Sequence, residues 1–233
     1  MKIISFSLWG DDKLYCQGAI DNIACTKKHY PDWICRFYVA QNCPALPVLK
    51  DMDCQVVEMA YEYSAINRDQ EIQKWHWDFQ HTGMLWRFLA IDDDIERVIF
   101  RDCDSRVGAR DAAAVQQWEQ SDIIMHRMHE VKPHWNSQAM GGMWGIKCGH
   151  IKDIDQKINK YIDSYTKKRN EPWIFVDLWF IMDVLWPSLQ YSCMGHGLGH
   201  INQFPVDGPM VGAVVHEEWR GQKYEPQHIS NRR

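Results

Sequence analysis

The stretch Ile99 to Arg106, IFRDCDSR, places two aspartates one residue apart directly after an apolar run. The preceding residues RVIF (97–100) have the composition of a buried strand. Spacing by two residues keeps the side chains of Asp102 and Asp104 on one side of an extended chain. Because open α/β folds bind ligands beyond the carboxyl ends of their strands, this stretch predicts a strand whose end presents two carboxylates to one site.

Strand-like and helix-like patterns alternate along the rest of the chain. This β-α-β order predicts an α/β fold with a central, largely parallel sheet and helices on both faces. Further strands are predicted at Lys2 to Leu8, Ile34 to Ala40, CQVVEMAY (54–61) and DIIMHRM (122–128), and the segment GGMWGIK (141–147) follows the last of them. Helices are predicted from Asp12 to before Pro31, from about Glu71 to Ile91 with an interruption at Gly83, from about Arg110 to Gln120, and along the stripe from Ile151 to Tyr165.

The composition limits the classes of partner. The chain has 233 residues, with 26 Lys and Arg against 31 Asp and Glu, for a formal net charge of -5. This balance supplies no broad basic field, so nucleic acid is not expected as a partner. We find no internal repeat, low-complexity tract or linker, which favours one domain over residues 1–233 with a loosely held polar tail from about residue 217 to 233.

The cysteines and apolar runs indicate a cellular compartment. The eight cysteines include no C-x-x-C pair and favour reduced thiols in a cytoplasmic protein. The N-terminal MKIISFSLWGDD has the pattern of a first strand, with no cleavage site for a leader. The longest apolar run, WIFVDLWFIMDVLW (173–186), is too short for a membrane span and contains two aspartates. Peripheral membrane contact stays open.

Two neighbouring carboxylates repel each other when ionised, and a divalent cation relieves that repulsion. Mg²⁺ and Mn²⁺ commonly use one or two carboxylates and complete their coordination with water and substrate phosphates. The adjacent Arg101 and Arg106 suit a phosphate ligand, since guanidinium groups bind phosphates or orient carboxylates through paired hydrogen bonds. The alternative interpretation is a surface turn in which these charges cancel.

The string RDCDSR, with LWRFLAIDD before it and ARDAAAVQQW and MGGMWGIK after it, resembles the small GT-A-fold glycosyltransferases of bacteria and large DNA viruses. The resemblance covers roughly Lys2 to Val214 and includes SLWGDD, YPDWICRFYV and FPVDGPMVGAVV. It implies a GT-A (Rossmann-like) fold and transfer of a sugar from a nucleoside-diphosphate sugar to a glycan or other hydroxyl acceptor. UDP is favoured as the nucleotide, and GDP is the second candidate.

In that family the aspartate pair holds Mn²⁺ or Mg²⁺, which bridges the donor diphosphate. The resemblance therefore implies that Asp102 and Asp104 bind the metal, and that Asp104 belongs to the catalytic machinery. Cys103 lies between them on the donor side. A third metal ligand is usual, commonly a late histidine. His200 is preferred, His196 and His216 are alternatives, and the glycines of GHGLGH predict a flexible loop over bound donor.

Other donor-binding candidates come from two earlier segments. FSLWG, comprising Phe6, Ser7, Leu8, Trp9 and Gly10, lies where the resembling enzymes cradle the nucleotide; its alternative interpretation is an ordinary buried strand. Arg87 falls inside an apolar helical run, where an unpaired charge is costly. We expect it to reach a donor phosphate or an acid such as Asp93 or Asp102.

Sugar- and acceptor-binding candidates follow the aspartate pair. Gly141 and Gly142 would let the backbone approach a sugar, and Trp144 would stack on it. His134 matches a loop of the resembling family. Asp177 corresponds to an aspartate that contacts the sugar or acts on the acceptor hydroxyl; the alternatives are a helix cap or a buried salt bridge to an arginine.

Two other classes of function stay open. A metal-dependent phosphohydrolase would also use paired aspartates, although haloacid-dehalogenase enzymes place theirs after the first strand, and here the pair follows about 100 residues. A carbohydrate- or nucleotide-binding protein without catalysis would suit the 12 tryptophans. The sequence does not identify the acceptor, the catalytic base or the stereochemical outcome.

Overall fold

The computed structural model describes residues 1–60, 82–130, 138–168, 175–197, 200, 202–207 and 210–212, with the backbone alone at 165–168. The predicted helix before residue 82, the candidate ligands His134 and His216, and the predicted tail at 217–233 lie outside the described residues. Within the described part of the chain, no helix is long and apolar enough to cross a membrane.

Seven described strands form one continuous sheet with the order β3-β2-β1-β4-β6-β5-β7. Their register makes β6 antiparallel to both of its neighbours, while the remaining pairs are parallel. The strands are β1 (Lys2–Leu8), β2 (Trp33–Ala40), β3 (Gln55–Met59), β4 (Arg97–Phe100), β5 (Met125–His129), β6 (Trp144–Lys147) and β7 (Cys193–Gly197).

The strand order has one functional consequence. From β1 the chain proceeds outward through β2 to β3, and then returns to place β4 on the other side of β1. The point between β1 and β4 is therefore a topological switch point, where loops leave the sheet in opposite directions and open a crevice at the carboxyl ends of the strands. The segment that follows β4 begins with Arg101 and Asp102.

The helices cover both faces of this sheet, which confirms the predicted α/β architecture with a mostly parallel sheet. A 3₁₀ helix occupies the described part of the tryptophan-rich helical segment, where an α-helix interrupted at Gly83 was expected. The helices are α1 (Lys13–His29), α2 (Leu46–Lys50), the 3₁₀ helix (Gly83–Asp92), α3 (Ala109–Glu119), α4 (Ile154–Lys168), α5 (Val176–Phe180) and α6 (Trp186–Leu189), with a π-helical turn (Ile181–Leu185) joining the last two.

Strand β7 corrects the prediction of a loop at GHGLGH for its first three residues, Gly195 to Gly197. Its residues pair in parallel with β5, so that Met128 lies opposite His196 and His129 lies opposite Gly197. Glycine is a poor strand former in isolation, but the hydrogen bonds of an existing neighbour strand override that preference. From the sequence alone the glycines indicated irregular backbone, since the strand that pairs with them, β5, lies far away in the sequence.

Alternation along β1 and β4 divides the hydrophobic core between the two faces of the sheet. Ile4, Phe6 and Leu8 belong to a cluster with residues of α1 and α3. Phe100 belongs to the opposite cluster, where Trp144 packs against it with ring centroids 4.4 Å apart. Successive strand residues thus point to opposite faces, as the period of two requires.

Helix α1 packs directly on the turn that follows β4. A Cβ at Gly18 would lie 1.7 Å from the Cys103 carbonyl oxygen, so only glycine permits this approach. The Asn22 side-chain amide donates to the Ser105 carbonyl (2.9 Å), and its Oδ1 accepts from the Val107 N–H (3.0 Å). These contacts fix the backbone of the aspartate-bearing turn to the helix.

The Arg101 side chain points into the protein interior and does not reach the cavity at the strand end. Its guanidinium is 2 % exposed and donates to both carboxylate oxygens of Asp111, at 2.9 and 2.6 Å. Tyr30 donates to the same carboxylate at 2.6 Å. Burial opposes the arginine charge, but Asp111 outweighs it and raises the pKa of Arg101. The expectation that Arg101 contacts a donor is corrected: it is a buried structural residue.

We expect Asp111→Ala to lower the free energy of unfolding by about 3–5 kcal/mol, because it leaves the Arg101 charge buried without its partner. Urea denaturation followed by circular dichroism measures this loss. Asp53→Ala is the control, since it breaks the exposed pair with Lys27 (3.1 Å) and should change stability little. Equal effects of the two substitutions would contradict the assignment.

Candidate active site

A cavity of about 330 Å³ opens at the switch point, beyond the carboxyl ends of β1 and β4. Segments that are distant in the sequence meet there because the sheet brings their strand ends to one edge. The lining residues are Ser7, Trp9, Tyr15, Met84, Arg87, Asp102, Cys103, Asp104, Met140, Gly141, Gly142, Met143, Phe175, Asp177, Leu178 and Gly212.

The two aspartates predicted to act together do line this one cavity. Asp104 accepts a hydrogen bond from the Tyr15 hydroxyl at 3.1 Å. Burial raises the pKa of the Asp104 carboxyl, and the neighbouring Asp102 charge raises it further. Tyr15 therefore fixes the orientation of a carboxylate that its surroundings leave electrostatically unsatisfied.

Arg87 joins the aspartate pair to Asp177. Its guanidinium is 4 % exposed and donates from Nη1 to Asp102 and from Nη2 to Asp177, the latter at 2.7 Å. Burial opposes the charged arginine, but the two carboxylates prevail and raise its pKa. Of the partners expected for Arg87, Asp102 is confirmed, while Asp93 pairs with Arg36.

Two serines of β1 hold the backbone of Arg87. Ser5 Oγ donates to the Arg87 carbonyl at 2.8 Å, and Ser7 Oγ accepts from the Arg87 N–H at 2.9 Å. The serines are two residues apart and therefore face the same side of the strand. The 3₁₀ helix is thus attached to the central strand at the residue that carries the guanidinium.

Asp177 lies in the first turn of α5 and is both a cavity-lining residue and a salt-bridge partner. Its Oδ2 accepts from Arg87, and its Oδ1 accepts from the Leu178 N–H at 2.8 Å. Burial raises the pKa of Asp177, and Arg87 opposes that rise. The sequence treated the cavity and the buried salt bridge as alternatives, whereas the structure combines them.

The paired glycines make room for the carboxylates. A Cβ at Gly141 would lie 1.8 Å from Asp177 Oδ2, and a Cβ at Gly142 would lie 2.0 Å from Asp102 Oδ2. No other residue type avoids these overlaps without moving a carboxylate. The glycines were predicted to admit a sugar; the contact that the structure shows is with the acids.

The FSLWG segment divides according to strand alternation. Ser7 and Trp9 line the cavity, whereas Phe6 and Leu8 point into the opposite core, where Phe6 stacks on Phe37. Phe6 and Leu8 are therefore corrected to buried strand residues. Gly10 adopts a left-handed φ of 73°, which permits the turn into α1.

Trp9 takes its position from the start of the 3₁₀ helix. A Cβ at Gly83 would lie 2.7 Å from the Trp9 ring, so the helix backbone packs flat against the indole. Trp86 meets the same ring edge-on, with centroids 6.1 Å apart. The glycine that was expected to interrupt a helix instead admits this tryptophan.

Three further candidates are also placed differently from the sequence expectation. Trp144 is fully buried against Phe88 and Phe100, so it is a core residue and not a surface for stacking a sugar. Cys103 lines the cavity but is 1 % exposed, and burial raises the pKa of its thiol well above the usual value. Arg106 pairs with Asp21 of α1 at 2.9 Å and clamps the turn.

Of the histidines predicted as third metal ligands, the two described ones, His196 and His200, do not join the aspartates. His196 is buried in β7, where it shares a hydrogen bond with His126 (2.8 Å) and another with Gln117 (2.8 Å). His200 shares one with His129 at 2.7 Å. Within the described residues, no group of three or more His, Cys, Asp or Glu side chains could hold a metal ion. The predicted set of Asp102, Asp104 and His200 is therefore not assembled.

Sequence reasoning missed several cavity residues. Tyr15 lies near the start of α1 and is 38 % exposed. Phe175 carried a usable signal, because it lies two positions before Asp177 in the same segment. The remaining missed residues are Met84, Met140, Met143, Leu178 and Gly212.

Comparison with known proteins gives a limited result. No family model matches the chain. No curated protein matches it either. Among solved structures, glucosyl-3-phosphoglycerate synthase from Mycobacterium tuberculosis in complex with UDP is 12 % identical and has a TM-score of 0.45, with coverage of 90 % of this chain and 73 % of that one.

Two other similar structures are those of glycosyltransferases. PaToxG glycosyltransferase is 9 % identical with a TM-score of 0.44, over 81 % of this chain and 69 % of that one. The galactosyltransferase LgtC with donor and acceptor sugar analogs is 14 % identical with a TM-score of 0.41, over 95 % and 99 %. At these scores and identities the likenesses assign neither a family nor an activity.

The raised pKa of Asp104 has a testable effect on stability. When the pKa of a carboxyl group is higher in the folded than in the unfolded state, the folded protein loses stability as the pH rises from the ordinary pKa of 3.8 through the pKa of the folded state. We therefore expect Asp104→Asn to raise the melting temperature at pH 7 in the presence of a chelator. The gain should shrink as the pH falls toward 4.

Differential scanning fluorimetry between pH 4 and 7.5 measures this effect. Asp122→Asn is the matched control, because Asp122 is fully exposed and lies beside Lys147, at the opposite edge of the sheet. A melting temperature of Asp104→Asn at or below that of the wild type at pH 7 would show that the carboxylate is not electrostatically strained.

Proposed function

We propose that this chain is a metal-dependent glycosyltransferase of the GT-A type. It moves a sugar from a nucleoside-diphosphate sugar, with UDP favoured over GDP, to a hydroxyl group of a glycan or other acceptor. The observation that carries the proposal is the convergence of Asp102, Asp104 and the Arg87–Asp177 pair on one cavity at the β1/β4 switch point.

The aspartate pair fits a hard divalent cation such as Mn²⁺ or Mg²⁺. Both side chains offer carboxylate oxygens to the cavity. Burial and the neighbouring Asp102 charge raise the pKa of Asp104, and a nearby cation would relieve both effects. Two protein carboxylates are sufficient when donor phosphates and water supply the remaining ligands. His216 stays a candidate third ligand, since it follows Gly212 of the cavity wall by four positions.

The charge balance of the cavity supports a cation. Asp102, Asp104 and Asp177 bring three carboxylates, while Arg87 is the one cationic side chain among the described lining residues. A nucleoside diphosphate adds further negative charge and would be repelled by the acids alone. A metal ion at the aspartate pair converts this acidic surface into one that attracts a diphosphate.

The remaining polar and aromatic groups are assigned by their places in the cavity. Ser7 and Trp9, at the end of β1, are the proposed contacts of the nucleoside. Asp177 is the proposed contact of the transferred sugar or the acceptor hydroxyl. Arg87 keeps both acids oriented through two separate N–H groups, which a lysine in its place could not do with the same geometry.

The proposed reaction breaks the bond between the anomeric carbon and the diphosphate oxygen, and the departing diphosphate gains negative charge. A bound cation would supply Lewis-acid stabilisation of that charge. Asp102 and Asp104 would hold the ion, and Tyr15 keeps Asp104 in place by its hydrogen bond. Asp177 orients the acceptor hydroxyl, whose oxygen forms the new bond to the anomeric carbon and whose proton passes to the departing diphosphate.

We expect Asp104→Asn to reduce metal-dependent release of nucleoside diphosphate by about 100-fold or more, because the amide is a much weaker ligand for a hard cation. The assay incubates the protein with UDP- and GDP-sugars, with and without Mn²⁺, and measures free UDP or GDP. Asp122→Asn again serves as the control and should keep wild-type activity.

The same assay separates the other classes of function. Phosphate release from simple phosphate esters would instead indicate a phosphohydrolase. Saturable binding of UDP without turnover of any donor would indicate a catalytically inactive binding protein. Wild-type turnover by Asp104→Asn, or turnover that a chelator leaves unchanged, would overturn the metal-dependent assignment.

A further inference from the structure

The described residues near the end of the chain reach the cavity through a segment without helix or strand. This wall segment comprises residues 202–207 and 210–212, and its Gly212 lines the cavity. Irregular backbone is held by few contacts of its own, so specific side chains must determine where Gly212 lies. Asn202 and Phe204 contact β7. Two residues that have no place in the proposed chemistry, Arg110 and Glu130, contact the segment nearer to Gly212.

Glu130 is a buried carboxylate directly after β5. It is 3 % exposed and lies outside the cavity lining. Its Oε1 accepts from Arg110 Nε and from the Val211 N–H, both at 3.1 Å, and its Oε2 accepts from Arg110 Nη2 at 3.3 Å. One carboxylate thus joins the start of α3 to the residue before Gly212.

Arg110 makes two more contacts with the same segment. Its guanidinium carbon lies 4.0 Å from the centroid of the Phe204 ring, and its Nη1 donates to the Val206 carbonyl at 3.2 Å. Arg110 therefore contacts the wall segment both by a cation–π interaction and by a hydrogen bond. Together the two side chains touch Phe204, Val206 and Val211.

Packing contacts connect the wall segment to the aspartate pair. Val211 is 4 % exposed and packs in a cluster with Met143. A Cβ at Gly212, whose φ is 75°, would lie 2.9 Å from Met143 Sδ. Met143 follows Gly142, the residue that packs against Asp102. The wall segment therefore supports the side of the cavity that holds the proposed metal and diphosphate.

We infer that Arg110 and Glu130 are positioning residues for donor binding, because they seat the wall segment that completes the donor side of the cavity. This inference rests on the proposed function. The pair does not touch the reacting groups; it acts through Val211, Gly212 and Met143. Its loss should weaken donor binding more than it slows the chemical step, since the aspartates and Asp177 stay in place.

The test compares Glu130→Gln with the wild type by two measurements. Glu130→Gln keeps the size of the side chain and an acceptor for Val211, but removes the charge that holds Arg110. We expect faster hydrogen–deuterium exchange in peptides that cover residues 203–212. We also expect the donor KM to rise about tenfold, with kcat changed much less, since small misplacements of binding groups have effects of this size.

Phe204→Leu is a second variant, because it leaves the buried ion pair intact and removes the aromatic contacts of Phe204 with Arg110 and with His196. It should show the same two effects in a weaker form. Glu119→Gln is the matched control, since it breaks a partly buried ion pair with Lys2 (2.9 Å) at the opposite edge of the sheet. Wild-type exchange in residues 203–212 and a wild-type donor KM are expected for it.

The outcomes separate this inference from the proposed function. Exchange requires no turnover, so unchanged protection of residues 203–212 in both variants would overturn the seating role whatever the activity. Faster exchange with an unchanged donor KM would overturn the role in donor binding. If the wild type turns over no donor, the proposed function fails, and the affinity for UDP with Mn²⁺, measured by calorimetry, then replaces KM as the second measurement.

Discussion

The candidate site depends on one buried guanidinium. Arg87 lies between Asp102 and Asp177, and a charge of this kind is stable in the interior only when it is paired and hydrogen-bonded. The serines at positions 5 and 7 of β1 fix its backbone, so the cation has a defined place relative to the central strand. The two acids come from segments 75 residues apart, and the arginine is what holds them at one cavity.

A second constraint is the absence of side chains where backbone and carboxylates meet. Gly18 lets α1 contact the turn after β4, and the adjacent glycines at 141 and 142 let the turn before β6 contact the two acids that Arg87 binds. These contacts come from opposite sides of the sheet edge. The aspartate-bearing turn is therefore confined between a helix and a glycine pair, which explains how an irregular segment can present carboxylates in a fixed orientation.

The sequence predicted the strands β1 to β5 and the helices on both faces because period-two and helical patterns are local. It also predicted that the aspartate pair lies at the end of a buried strand, since the pair directly follows an apolar run in the sequence. It did not place Arg101 or Trp144, because their partners come from distant segments that only the folded sheet brings near. Strand alternation could have separated Ser7 from Phe6; β7 could not have been found locally, because its pairing with β5 overrides the preference of its glycines.

The exposures of Asp102 and Asp177 indicate that these two acids have different roles in the site. The Asp102 side chain is 42 % exposed, whereas that of Asp177 is 9 % exposed, although both are bound by Arg87. Asp102 can therefore contact a ligand while keeping its arginine partner, and Asp177 is held more closely by the protein. Because one guanidinium serves both, any ligand that draws charge from Asp102 leaves Arg87 to interact more strongly with Asp177. The two ends of the cavity are thus electrostatically linked through Arg87.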